Sequence, residues 1–392
     1  MKTTIRLADI FRASLPLYTH KYGKLPLEHY KAVNAIMNCR TESMGYHQYE
    51  CESCHEPQTH FHSCRNRHCP RCQGYSAMQW VAARVEEMLP VSYFHAVFTV
   101  PSELNPFVLR NKRVMYSLLF RAVKDTLNQL AAQEKWLGAR IGFTAVLHTW
   151  GQNLMDHPHL HCIIPAGGLR LKDNRWKHCR NDFFVHIDVI KQVYRGKFME
   201  YFKQALAAGE IKYHGVLEVF TDKGKLHDLF SLLYRKEWVV YIKPSFASPK
   251  AVLNYLGNYT HRIAISENRI LSFKDGQVTF SYTDYRNYCK RKVMTLSAVE
   301  FIRRFLLHVL PGGFMRIRHF GLFANRDRRE NINLCRKLMG EYAVAAKETI
   351  GSWWEQILER TGKNPLICQR CKRGLLKLVL IMPPGRRDAM VT

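Results

Sequence analysis

The stretch Cys51 to Cys72, "CESCHEPQTHFHSCRNRHCPRC", constrains the fold of this chain more than any other. Its charged and polar neighbours do not suit free cysteines in a core, so the cysteines read as metal ligands. A Cys-x-x-Cys turn aims two thiolates at one point, and two such turns supply the tetrahedral sulfur set that Zn²⁺ prefers. The spacing predicts a structural zinc site of Cys51, Cys54, Cys69 and Cys72, on a ribbon closed by the connection between the two pairs. Cys64 and His68 are alternative ligands within the same stretch, and Cys39 could belong to the module. Cys368-x-x-Cys371 is half of a second site, whose partners spacing does not identify. Such a site is closed, so it shapes the chain without doing chemistry.

Metal is preferred over disulfides because the N-terminus, "MKTTIRLADIFRASLPL", scatters charges among short apolar groups and has no signal-peptide core. The expectation is a cytoplasmic protein whose twelve cysteines are reduced or metal-bound. The apolar runs fall short of the roughly 20 residues that span a bilayer, so no membrane partner is expected.

The charge points to a different partner. Fifty-nine Lys and Arg against 32 Asp and Glu leave +27, the electrostatic footprint of a nucleic-acid binder. Arg65, Arg67 and Arg71 interleave with the cysteines and are candidate phosphate contacts. Lys290, Arg291 and Lys292 end "FSYTDYRNYCKRK", where aromatic rings among cations could stack on single-stranded bases; a sheet-edge strand with a solvated basic tail is equally compatible.

Between the cysteine groups the pattern mixes periods. Helices are expected over 76–90, 108–134, 186–208, 248–262 and 297–311, and strands over 92–101, 139–151, 159–165 and 238–246. A hairpin is expected around Asp275-Gly276. Antiparallel strands interleaved with helices make an α+β fold with a central antiparallel sheet. The expected division is a helical, zinc-binding module over 1–90, a main domain over 91–310 and a basic C-terminal region over 311–392.

Within the main domain, "MDHPHLHCII" places His159 and His161 on one face of a strand, two residues apart, where they can share a divalent cation. His157 has the same parity but sits at the turn before Pro158. Two imidazoles under-coordinate a hard cation, so a third ligand is expected. Gln152 is preferred, across the short turn, with Asp156, His148 and His157 as alternatives. Further on, "NYLGNYTHR" sets Tyr255 and Tyr259 four apart on one helix face, among polar neighbours that do not suit a dry core. A metal-binding histidine pair, a tyrosine pair and a strongly basic chain fit attack of a phenolic oxygen on a DNA phosphodiester.

With these residues the chain resembles the two-tyrosine HUH transposases of rolling-circle insertion sequences, bacterial proteins with an N-terminal zinc-binding domain. The resemblance runs from "CRTESMGYHQYEC" and "SCRNRHCPRC" through "YFHAVFTVP" and "HTWGQNLMDHPHLHC" to "YLGNYTHRIAIS" and "EFIRRFLLHVLPGGFMRIRHFGL". The HUH signature falls on His159-Leu160-His161 and the tyrosine pair on Tyr255 and Tyr259. The resemblance implies a single-strand endonuclease and strand-transferase that uses Mg²⁺ or Mn²⁺ and passes through a 5′-phosphotyrosine link, acting on transposon ends and target. No G-x-x-x-x-G-K-[ST] phosphate loop is present, so strand separation would come from a host helicase, the replication machinery or supercoiling. The competing classes are a rolling-circle initiator or relaxase, and a zinc-dependent DNA-binding protein with structural histidines. In relaxases of this fold the tyrosine tends to precede the histidines, whereas here it follows.

Overall fold

The structure, a computed structural model, describes residues 5–85, 87–180, 184–246, 263–284, 288–340 and 352–385. Two amphipathic helices open it, α1 (Leu7–Tyr22) and α2 (Leu27–Asn38), followed by a hairpin, β1 (Tyr46–Cys51) and β2 (Pro57–Phe61), and helix α3 (Gln73–Val85). β3 (Tyr93–Thr99) leads into α4 (Asn105–Arg110) and α5 (Lys112–Ala132). One continuous helix is expected there, but Asn111 leaves the helical region at φ −125° and ψ 43°. Its side-chain amide donates to Lys212 O and its carbonyl oxygen accepts from Lys212 N, which holds the break.

The next strands are β4 (Gly142–Trp150), β5 (Asp156–Pro165), β6 (Gly167–Arg170) and β7 (Arg175–His178). Helices α6 (Ile187–Ala207) and α7 (Lys223–Arg235) and strand β8 (Val240–Phe246) follow. After residues 247–262, which include both candidate tyrosines and lie outside the described residues, come β9 (Ile270–Lys274), β10 (Gln277–Asp284) and β11 (Lys290–Ser297). The chain ends with α8 (Ala298–Leu307), β12 (Ile317–Gly321), α9 (Arg328–Leu338), α10 (Trp353–Thr361) and β13 (Leu376–Met382). The Asp275-Gly276 hairpin forms as expected, with φ of 50° and 69° at its two turn residues.

Five of these strands make the central sheet, in the order β12-β4-β5-β3-β8, each neighbour antiparallel. The histidine strand β5 is its middle member. Strand parity then divides the chemistry between two faces. Phe94, Ala96 and Phe98 of β3, Phe143, Ala145 and Leu147 of β4, and Leu160, Cys162 and Ile164 of β5 form one apolar face, packed with α5 and α6 in the main core. The opposite parity carries His95, His148, His159 and His161. Near Tyr93 and Ile163 this second face is covered by apolar residues of α3 and α9.

A second core joins α1, α2 and α8 to β9 and β10, and includes Cys39, Cys69, Cys72 and Leu154 of the β4–β5 turn. The cysteine-bearing module therefore packs on the turn that feeds the histidine strand. Residues 311–392 are shared out: β12 completes the central sheet, whereas β13 pairs with β1 in a separate three-stranded sheet, β13-β1-β2. No helix among the described residues is long and apolar enough to cross a membrane.

Candidate metal centre and cysteine sites

His148 and His159 face each other across β4 and β5, and His161 lies one pleat further along β5, opposite Val146. The facing ring nitrogens of the three imidazoles lie within 4.8 Å of one another. Nε2 of His159 and Nε2 of His161 are 3.1 Å apart. Two nitrogens in adjacent positions around a cation at about 2.1 Å would be about 3 Å apart, so the pair fits one ion. Nδ1–H of His159 donates to His157 O at 2.6 Å, which leaves Nε2 with its lone pair on the ligand side. His148 stacks on Trp150, ring centroids 4.8 Å apart. The arrangement supplies three imidazole nitrogens from two paired strands.

His95, on β3, was not singled out by the sequence. It is 3% exposed, and its Nε2 lies 2.8 Å from Nδ1 of His161. Burial, with Lys243 nearby, pushes its pKa down to about 4, so the ring is neutral.

His148 is the third imidazole of the cluster. The Gln152 backbone carbonyl accepts from Arg269, which also donates to Ser281 O at 2.8 Å and Ala264 O at 3.3 Å. That guanidinium staples the β4–β5 turn to β10 and to the chain just after residue 262. His157 is displaced because the β4–β5 register slips between His148 and Trp150, giving β5 one extra residue at His157-Pro158; its side chain is exposed. Asp156 points to the opposite face, where burial lifts its carboxyl to about 7 against the opposing pull of Lys112.

The cysteines are brought together as two sites, and the two Cys-x-x-Cys pairs separate. Cys69 and Cys72 join Cys39 and Cys64, whereas Cys51 and Cys54 join Cys368 and Cys371. Sulfurs on a tetrahedron around zinc, with Zn–S of about 2.3 Å, are about 3.8 Å apart. The distances are 3.5 Å for Cys39–Cys72, 3.6 Å for Cys64–Cys72, and 3.7 Å for both Cys51–Cys371 and Cys54–Cys368. All are far beyond a disulfide bond. Four thiols this close titrate against one another: their mutual hydrogen bonds hold Cys72 and Cys39 down and push Cys64 and Cys69 up. A divalent cation relieves that conflict by letting all four ionise.

The local backbone is that of a metal knuckle. Arg40, His55, Arg65 and Lys372, each directly after a cluster cysteine, have φ between 51° and 61°. Amides of Ser53 and Gly374 donate to Cys51 and Cys371 sulfurs at 3.4 and 3.3 Å. His68 stands apart, its Nε2 accepting from the Leu310 amide at 3.4 Å. Among the basic candidates, Arg67 donates to Phe314 O at 2.6 Å and Pro311 O at 3.2 Å, and so ties the cysteine-rich stretch to the segment that follows α8. Arg71 reaches Cys39 O at 3.4 Å, and Arg65 is exposed. On β11, Lys292 pairs with Asp284 at 2.7 Å, Arg291 donates to Ser281 Oγ at 3.2 Å, and Lys290 is exposed.

A central strand that presents His-Leu-His, a third imidazole on its neighbour and structural zinc sites beside them define a metal-dependent DNA-processing enzyme of the HUH type. Comparison with known proteins agrees. Residues 142–331 match the family described as "Putative transposase", and residues 10–100 match "Transposase zinc-binding domain". The chain is 42% identical over 370 residues to "Putative transposase y4qJ" of Sinorhizobium fredii (strain NBRC 101917 / NGR234), covering 94% of this chain and 93% of that one. It is 27% identical over 302 residues to "Transposase for insertion sequence element IS801" of Pseudomonas savastanoi pv. phaseolicola, covering 76% and 70%. No solved structure matches. The chain belongs to this transposase family, with DNA as its partner.

Proposed function

We propose that this transposase nicks and rejoins single-stranded DNA through Tyr255 and Tyr259, over a Mg²⁺ or Mn²⁺ ion held by His148, His159 and His161. The observation that carries the reading is the convergence of three imidazoles from adjacent strands, with the His159 tautomer fixed by His157 O. When bound, the cation would neutralise charge on the scissile phosphate and its transition state. The histidines' part is to hold that charge rigidly, without adding negative charge beneath the DNA.

A tyrosine hydroxyl attacks phosphorus and gives up its proton. The bond from phosphorus to the 3′ oxygen breaks, that oxygen takes up a proton, and a 5′-phosphotyrosine link remains. The bond energy is conserved, so rejoining needs no nucleotide. Two tyrosines would let a second strand be cut before the first is released. Supporting the assignment, the chain enters the tyrosine segment from β8 of the central sheet and leaves it at Ala264, which Arg269 ties to the same turn as Gln152. Strand separation would fall to a host helicase or to replication. We read residues 1–90 as the zinc-bearing DNA-binding module and 91–310 as the nuclease, with 311–392 serving both.

The test is a covalent adduct. Full-length protein with Mn²⁺ and a single-stranded oligonucleotide from a transposon end should give a DNA-linked tryptic peptide containing residue 255 or 259. The Tyr255→Phe, Tyr259→Phe double variant should form none, and His148→Ala should lose the adduct where Gln152→Ala keeps it. An adduct on another peptide, or one that persists in the double variant, sinks the reading.

A further inference from the structure

Beside the three clustered imidazoles stands a fourth, His95, for which the transesterification has no use so far. It is buried on β3, opposite Ile163, while His161 lies opposite Val97. The two side chains are thus diagonal neighbours on one face, a separation that rings can bridge. Their rings are nearly coplanar, 8° apart, with His95 Nε2 and His161 Nδ1 2.8 Å from each other. Coplanarity matters because the N–H and lone pair of an imidazole both lie in its ring plane. An in-plane pair at this distance is a directed hydrogen bond.

We propose that His95 is a positioning residue, which accepts a hydrogen bond from Nδ1–H of His161 and so presents the Nε2 lone pair of His161 to the divalent cation. The inference rests on the metal role of the histidine cluster stated above. Nε2 of His161 faces Nε2 of His159 at 3.1 Å, so it is the ligating atom and its lone pair must be free. A neutral imidazole that ligates through Nε2 carries its proton on Nδ1. His95 Nε2 must then be the acceptor, and its own proton must sit on Nδ1.

His159 receives the same service from a backbone carbonyl, His157 O. At Nδ1 of His161 the neighbour is a side chain, His95. An acceptor at this position is commonly a carboxylate. Imidazole orients the ligand without adding negative charge beneath a phosphodiester, which suits a site that must attract DNA.

The experiment is Mn²⁺ binding to the full-length protein, read by the loss of the free-ion electron paramagnetic resonance signal. His95→Phe keeps ring volume and removes the acceptor, and should weaken Mn²⁺ binding by about 10–100-fold, with cleavage recovering as Mn²⁺ is raised. His95→Gln, whose amide oxygen can reach the place of Nε2, should restore most of the affinity. A His95→Phe protein that binds Mn²⁺ like the native one, or a His95→Gln protein as weak as His95→Phe, overturns the proposal. Native protein that binds no Mn²⁺, or binds it equally well as His159→Ala, would instead overturn the metal role itself. Nitrogen-15 spectra of histidine-labelled native protein without added metal provide a check that needs no variant. They should place the His161 proton on Nδ1, and a proton on Nε2 would refute the assignment.

Discussion

His308 joins the end of α8 to the turn that feeds the histidine strand. It is 2% exposed; Nε2–H donates to Leu154 O at 3.1 Å, and Nδ1 faces Thr149 Oγ1 at 3.3 Å. Burial pushes its pKa down to about 4, and does the same for His29, His95 and His319. Between about pH 4 and 6.5 the unfolded chain binds protons at these imidazoles that the folded chain refuses, so stability rises with pH across that window and is lost on acidification. Asp156 works the other way, since its folded pKa of about 7 means that it keeps a proton the unfolded chain has released. One carboxyl opposes these imidazoles together with His60 and His68, which burial also holds down, and the net effect is acid sensitivity. The melting temperature should fall from pH 6.5 toward pH 4.5, and it should fall less for His308→Gln, which keeps a donor toward Leu154 O. Equal falls in native and variant would show that His308 is not part of the acid response.

At the scale of elements, β13 does what its sequence does not announce. "LKLVLIM" reads as an apolar run, yet it pairs with β1 from Leu376 opposite Cys51 to Met382 opposite Tyr46. That register delivers the Cys368–Cys371 knuckle to Cys51 and Cys54. Gly374 is required at the join, because a Cβ there would collide with the Cys51 sulfur and the Ser53 side chain. The protein should therefore carry two zinc ions per chain by metal analysis. Cys371→Ser should retain one and free the C-terminal strand for proteolysis, and Gly374→Ala should weaken the same site while sparing the other. Two zinc ions retained by Cys371→Ser would break the pairing of Cys51 and Cys54 with the C-terminal knuckle.

The whole molecule carries +27, and the structure separates the cations that build it from those left for DNA. Arg67 spends its guanidinium on two carbonyls of the segment that follows α8, whereas Arg65 is exposed beside the same cysteine site. Arg67→Ala should lower stability by about 1–3 kcal/mol, through buried carbonyls left unpaired. Arg65→Ala should leave the melting temperature alone and reduce the slope of log affinity for single-stranded DNA against log salt by about 0.7. If Arg67→Ala changes only the salt slope, the tying role is wrong.

Much of this was legible in the chain itself. Alternation made β5 a strand and put His159 and His161 on one face, since side-chain direction in a strand follows from local geometry alone. The Asp275-Gly276 turn was legible for the same reason, because backbone at positive φ selects its residues. The Cys-x-x-Cys spacing announced zinc, and the excess of Lys and Arg announced a nucleic acid. What sequence could not decide was which distant groups meet. His148 joins the histidine pair because an antiparallel pairing puts it directly opposite His159, while Gln152 sits in the turn with its backbone carbonyl held by Arg269. The cysteine pairs divided because β13 returns across more than 300 residues to pair with β1, bringing Cys371 to Cys51. Zinc demands four sulfurs at the corners of one tetrahedron but sets no preference for which cysteines provide them, so only the register of the folded strands could choose.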